Sequence, residues 1–210
     1  MFANLVTYHI HRQNPLPSSD ALAYQYILAG NGLFIRAETH FFEAILPVAP
    51  CTVRGLAPLR HHFRLKVPRI PARLLDTILA DARRARRPDG GLNEVLYQFH
   101  HHGQAVQVKK PPQQATATSV LATSMDDAAI DDASIISDLH SHGNMRAFFS
   151  RTDDADEQAT KAYVVIGKLD TEPEIRLRVG VYGYWQPLPV TAVFTGIGSF
   201  KDLYPKENKS

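Results

Sequence analysis

The chain has 210 residues, of which 44% are hydrophobic and 21% charged, with a net charge of +2. That balance gives enough apolar content for one large domain, or one domain with a smaller appendage, around a substantial core. The near-neutral charge argues against a nucleic-acid partner, and a lone cysteine, Cys51, excludes an internal disulfide and fits a reducing compartment. His9, His11 and Arg12 interrupt the N-terminal stretch, so no signal-peptide core is readable there. No apolar run approaches membrane-spanning length, no internal repeat is present, and the expected location is cytoplasmic.

In chain order, residues 1–66 read as a β-rich N-terminal element. Residues 21–28 and 33–37 flank Gly30-Asn31-Gly32, a hairpin turn signal, and a third strand over 40–46 is ended by Pro47 and Pro50. The spacing then predicts a helix over 71–87, with Arg83, Arg84, Arg86 and Arg87 crowding its end, where positive charge suits the helix dipole. Pro88-Asp89-Gly90-Gly91 breaks the chain before a strand over 94–100. His100-His101-His102 reads as a polar strand end, because three consecutive side chains cannot all face one ion; His61-His62 is a weaker pair still. Further strands are predicted over 133–139, 163–167 and 175–181, with a helix over 153–162 whose first turn is acidic. Tyr182, Tyr184 and Trp185 suit packing at a sheet end, and residues 205–210 form a polar, frayed tail. The order implies an α/β fold: a mixed sheet flanked by helices, one before Glu94 and one after Ser150.

The most specific stretch runs from His140 to Asp153. His140-Ser141-His142 is followed, after seven residues, by Ser150 and then by Asp153 three positions on. At the end of a strand, His140 and His142 share one face while Ser141 points away, so two imidazoles stand together without backbone distortion. Histidine and carboxylate are standard zinc ligands, and three protein ligands leave a fourth position for a reactive water. Asp153 at the start of the following helix completes such a set. Ser150-x-x-Asp153 is also a helix-capping pattern, and the two uses are compatible because a capped helix holds Asp153 rigidly. Ten histidines make a pair unremarkable, but the full four-residue pattern arises by chance in on the order of one in several hundred chains of this composition.

These residues resemble the signature of the JAMM metalloproteases, the catalytic branch of the JAB/MPN domain family: an upstream glutamate, His-x-His, seven residues, then Ser-x-x-Asp. The resemblance covers roughly residues 68 to 195. Gly143 departs from it, standing where family members commonly carry proline. Among bacterial branches the chain looks most like the protein A family of the PRTRC system, a gene cassette that also holds ThiF-like proteins. The resemblance implies a JAB/MPN sheet similar to the cytidine-deaminase fold in a domain over 67–204. It also implies one Zn²⁺ per chain, held by His140, His142 and Asp153. It points to Glu94, which follows the first helix and a turn, as the glutamate that activates water. Glu38 and Glu43 lie too far upstream, and Glu157 lies inside the downstream helix. Ser150 takes the role of oxyanion donor rather than nucleophile.

The activity so implied is hydrolysis of a peptide or isopeptide bond at the C-terminus of a ubiquitin-like or sulfur-carrier protein, with a ThiF-like protein of the same cassette as a further partner. The loop 143–149, with Met145, Phe148 and Phe149, is one candidate wall of the substrate groove. Other zinc chemistries lack their partners: Cys51 alone cannot complete a deaminase site, and no His-Glu-x-x-His is present. Two other readings stay open: a non-catalytic, metal-stabilised interaction module of a plasmid-type cassette, and a nucleic-acid-associated relative, which the charge disfavours.

Overall fold

Alternation of apolar and polar side chains organises the first part of the chain. The computed structural model describes residues 4–103, 105–116, 120–122 and 134–204, so residue 133 and the expected tail from 205 fall outside it. The chain divides into two compact units, one of Met1–Val67 with Gln158–Thr160 and Val179–Gln186, the other of Pro68–Glu157, Lys161–Arg178 and Pro187–Ser210.

In the first unit, β1 (Val6–Ile10), β2 (Tyr24–Ala29), β3 (Gly32–Glu38), β4 (Phe42–Ala49) and β5 (His62–Leu65) form one sheet in that order. Ile27, Ala29, Phe34, Ile45 and Leu59 form its core. The expected hairpin joins β2 to β3, with Ala29 paired to Gly32. Gly30 is needed there for close approach, since a Cβ would lie 2.4 Å from the Leu56 carbonyl oxygen. The expected end of the third strand at Pro47 is corrected: β4 continues to Ala49, with Pro47 opposite Phe34 beside a register shift. β5 pairs only with residues 42–45 of β4. At Pro47 the strand is therefore locally an edge, where a missing N–H breaks no ladder bond. Glu43 is buried and held by Arg36 and Arg64; burial pushes its carboxyl up, but the two guanidinium groups outweigh it and hold it below the usual range.

The second unit opens with α1 (Arg73–Ala82), which buries Leu75, Ile78, Leu79 and Ala82 on one face. It is shorter than the 71–87 expected. The arginines that follow leave the helix to find other partners: Arg83 donates to the Leu169 carbonyl at 2.7 Å, Arg86 pairs with Asp170 at 2.9 Å, and Arg87 with Asp89 at 3.1 Å. Next come β6 (Leu96–His102), β7 (Ala105–Lys109), β8 (Gln113–Ala115) and β9 (Val120–Ala122), then β10 (Ile135–Ser141). A six-residue helix, α2 (Arg151–Asp156), leads to β11 (Ala162–Gly167), β12 (Glu174–Val181), β13 (Tyr184–Leu188) and β14 (Lys201–Asp202), of which residues 179–186 are counted with the first unit. The helix expected over 153–162 is thus corrected: Glu157 caps it, and Ala162 already belongs to β11.

The main sheet has the order β13-β12-β11-β10-β6-β7, with β14 beside β12, while β8 and β9 pair separately. β10 is parallel to β11 and antiparallel to β6, so the sheet is mixed. Every residue of β11 is buried, as is all of β10 but Asp138, which accounts for the near-continuous apolar sequence of β11. Mixed sheets with two short α-helices among the described residues give an α/β fold poor in helix. No described helix is long and apolar enough to cross a membrane.

The parallel pairing of β10 and β11 requires a crossover, and residues 142–161 make it. Its first stretch lies directly on the end of β11. Lys168 N–H donates to the Met145 carbonyl at 2.7 Å and Leu169 N–H to the Gly143 carbonyl at 3.1 Å. A Cβ on Gly167 would fall 2.4 Å from Met145 O and 2.5 Å from Ala147 N, both backbone atoms unable to yield. Gly167→Ala is therefore expected to destabilise the protein by about 3 kcal/mol or more, read as a lowered denaturant midpoint in equilibrium unfolding.

Candidate metal centre

β10 delivers His140 from within the strand and His142 from the position just beyond its end, with Ser141 between them facing the opposite way. Ser141 Oγ accepts a hydrogen bond from Val95 N–H at 3.0 Å, and Ser141 N–H donates to the Val95 carbonyl at 3.0 Å. The middle residue of the His-x-His motif thereby ties the segment carrying Glu94 to the strand carrying the histidines. Glu94 N–H donates to the Thr116 carbonyl, and Leu96 N–H to Gln113 Oε1, so the segment is held from its other side as well. The strand expected to begin at Glu94 begins at Leu96 because Glu94 and Val95 make these bonds instead.

Asp153 reaches the histidines through the N-terminus of α2. Ser150 caps the helix, its Oγ accepting from Asp153 N–H at 3.2 Å, while Asp153 Oδ2 accepts from Ser150 N–H, a reciprocal capping box. Asp153 Oδ1 lies 3.4 Å from His140 Nε2. Capping and metal-facing roles thus fall to different oxygens of one carboxylate.

His140 Nε2 lies 3.1 Å from His142 Nε2 and 3.4 Å from Asp153 Oδ1. A tetrahedral site with metal–ligand bonds of about 2.0–2.1 Å has an edge of about 3.3 Å, so these separations fit one small ion. Among the described residues this is the one group of three or more His, Cys, Asp or Glu side chains whose ligand atoms converge in this way, all within 4.8 Å. Both imidazoles are buried. Burial pulls His140 down to about 4, helped by the neighbouring His142 and Arg178 and opposed by Asp153. Burial lowers His142 as well, against the pull of Asp153 and the Arg146 backbone. Both rings are neutral at pH 7, the form that ligates metal.

Glu94 is 4% exposed, with Oε1 3.9 Å from His142 Nε2. That gap exceeds a direct hydrogen bond but is within reach through one water. Burial, and then the charge of Asp153, push its carboxyl up to about 7. Of the other acids considered, Glu43 belongs to its arginine cluster and Glu157 bonds to Arg178 at 2.8 Å. Burial pushes Glu157 up to about 8 although Arg178 draws it down.

The histidine run on β6 does not join the site. His100 Nδ1 bonds Ser134 Oγ at 2.7 Å, His101 is buried, and His102 is exposed. His62 faces Glu43 at 3.8 Å on β5. Around the centre, Phe148 stands edge-on to His142, with ring centroids 4.7 Å apart, and is 43% exposed. Met145, whose N–H donates to the His142 carbonyl at 3.0 Å, is 39% exposed. Phe149 turns inward, its ring 6.5 Å from that of His140 and its face covered by Arg178 at 3.9 Å. The roles of Arg178 and Ser141 had no readable signal in the sequence, where they look like an ordinary strand charge and a motif spacer.

Residues 71–179 match the Prok-JAB family, prokaryotic homologs of the JAB domain. No curated protein matches the chain. The matched span covers just over half of the sequence and includes α1, Glu94, the two histidines and α2. Taken with the converging His-His-Asp group, that span makes the chain a member of the prokaryotic JAB-domain family.

Proposed function

We propose that the protein is a zinc-dependent hydrolase that cleaves a peptide or isopeptide bond at the C-terminus of a ubiquitin-like or sulfur-carrier protein. The observation that carries this reading is the convergence of His140, His142 and Asp153 beside a buried glutamate. Those three side chains would hold one zinc ion, which when bound acidifies water towards neutral pH and polarises a carbonyl. Glu94 accepts the proton of the attacking water and returns it to the departing nitrogen. Its carboxyl, pushed up to about 7, is matched to both tasks near neutral pH. Ser150 Oγ already accepts a hydrogen bond from Asp153 N–H, which leaves its own hydrogen to donate to the developing oxyanion. A substrate tail would run past the rim of Met145 and Phe148, its backbone positioned by hydrogen bonds of the kind strand addition supplies.

The finer assignments rest on the resemblance. They are a cytidine-deaminase-like sheet within a domain over 67–204, residues 1–66 as an appended element, and membership of the PRTRC branch with a ThiF-like partner; the proposed cytoplasmic location rests instead on the lone Cys51. The competing reading is a metal-stabilised interaction module without turnover.

Metal analysis should find about one zinc per chain, lost in His140→Ala/His142→Ala while circular dichroism stays that of a folded protein. Glu94→Gln should keep the zinc and lose turnover of ubiquitin-like fusions by about 100-fold or more. Wild type without zinc after reconstitution would reject the reading, and zinc with no turnover on any such fusion would favour the interaction module.

A pH dependence follows for the metal-free protein. Glu94 rises from 4.5 to about 7 on folding, so between those values the folded state binds the extra proton. Stability from this group therefore falls as pH rises from 4.5 to 7, and the penalty is complete above 7. Glu94→Gln is expected to stabilise the chelator-treated protein by on the order of 2 kcal/mol at pH 8 and by almost nothing at pH 4, measured by denaturant titration at both values. His140 acts in the opposite sense. Its pKa falls from 6.5 to about 4, so its contribution is lost as pH drops through that interval in wild type and variant alike, and it cancels from the comparison.

A further inference from the structure

We infer that Arg178 is the positioning residue that holds Asp153 in the metal centre, an inference that rests on the zinc reading above. α2 spans only six residues and buries none of them, so neither length nor apolar packing can keep it in place. Its capping box fixes the first turn relative to Ser150, but that contact is internal to the crossover and does not attach it to the sheet. Arg178, on β12, makes the attachment.

Its Nη1 lies 2.6 Å from Asp154 Oδ1, and its Nε donates to Glu157 Oε2 at 2.8 Å, with Nη2 2.6 Å from the same oxygen. Asp154 lies within the helix and Glu157 is its C-cap, so the guanidinium holds both the body of α2 and its end. The guanidinium plane also covers the Phe149 ring at 3.9 Å, just ahead of the Ser150 cap, and that ring abuts His140. One buried side chain, 7% exposed, thus grips the crossover on both sides of Asp153 and braces the ring beside the first histidine. The rigid fork and flat face of arginine are both used, and lysine offers neither. Without the clamp, Asp153 Oδ1 is no longer fixed 3.4 Å from His140 Nε2, and the three-ligand set becomes a two-histidine set.

The test is zinc affinity of the full chain, measured by competition with a chromophoric chelator, together with the visible absorption of the cobalt-substituted protein. Arg178→Gln should weaken zinc by about tenfold or more, as loss of a group that orients a ligand does, and should alter the cobalt spectrum. Arg178→Lys should recover only part of the affinity. Ile78→Val, a destabilising change in the buried face of α1, controls for stability and should leave both readouts at wild-type values. Zinc affinity and cobalt spectrum unchanged in Arg178→Gln would overturn the inference. If that variant does not fold, Asp154→Asn decides: weakened zinc supports the clamp, and affinity within about twofold of wild type rejects it. Failure of the underlying reading looks different, because wild type itself would then bind no zinc.

Discussion

β10 is paired on both edges, parallel to β11 and antiparallel to β6, and is buried along almost its whole length. The site follows from that placement. A strand with neighbours on both sides cannot slip without turning every side chain to the wrong face, so His140 is fixed by the ladder itself. The parallel partner requires a crossover, which has to leave the end of β10 at His142 and return to the start of β11. Asp153 lies on that return path. The antiparallel partner brings the segment before β6 to the same end of the sheet, where Ser141 ties Val95 down and leaves Glu94 beside His142. Ligands and glutamate converge because the crossover and the segment before β6 meet at one strand end.

The electrostatics of this corner are set by burial more than by pairing. Desolvation is the leading cause of the lowered histidines and of the raised Glu94. The site therefore holds imidazoles whose protonation is disfavoured, a carboxyl pushed up to about 7, and an aspartate whose second oxygen is occupied by a backbone N–H. Such a set tolerates little added negative charge and is suited to accept a cation. Glu157, also buried, needs Arg178 to share its environment. The protein thus places a buried guanidinium over the face of Phe149 near the metal corner, close enough to depress His140.

What the sequence made legible was local. His140, His142, Ser150 and Asp153 lie within one short stretch, and their spacing encodes a strand end, a loop and a capped helix. Glu94 was readable through its context of helix, break and strand. Errors arose where a tertiary contact overrode a local preference. Arginines favour helix, yet Arg83, Arg86 and Arg87 leave α1 for a carbonyl and two carboxylates. Residues 157–162 carry helix-forming side chains, but Glu157 turns to Arg178 and Ala162 is drawn into the buried ladder of β11. Pro47 reads as a strand end until the short reach of β5 makes it an edge. Arg178 could not be read at all, because nothing in a strand sequence says which helix its charge will meet.

Gly143 shows how a departure from a family pattern can be structural rather than a loss. Its φ of 54° is closed to proline, whose ring fixes φ near −65°. The chain therefore leaves His142 by a path that proline would forbid, and this path lays the backbone of 143–147 on Gly167. The carbonyls of Gly143 and Met145 are then bonded to the amides of Leu169 and Lys168. The Asn144 side chain adds to this anchorage, donating to Asp170 Oδ2 at 3.0 Å and accepting from Asp170 N–H at 3.1 Å, and Ala147 is buried. Met145 and Phe148 are left exposed at the rim, one of them edge-on to a histidine, while Phe149 turns in to brace the site. The glycine that breaks the resemblance is thus what frees two apolar side chains beside the metal corner.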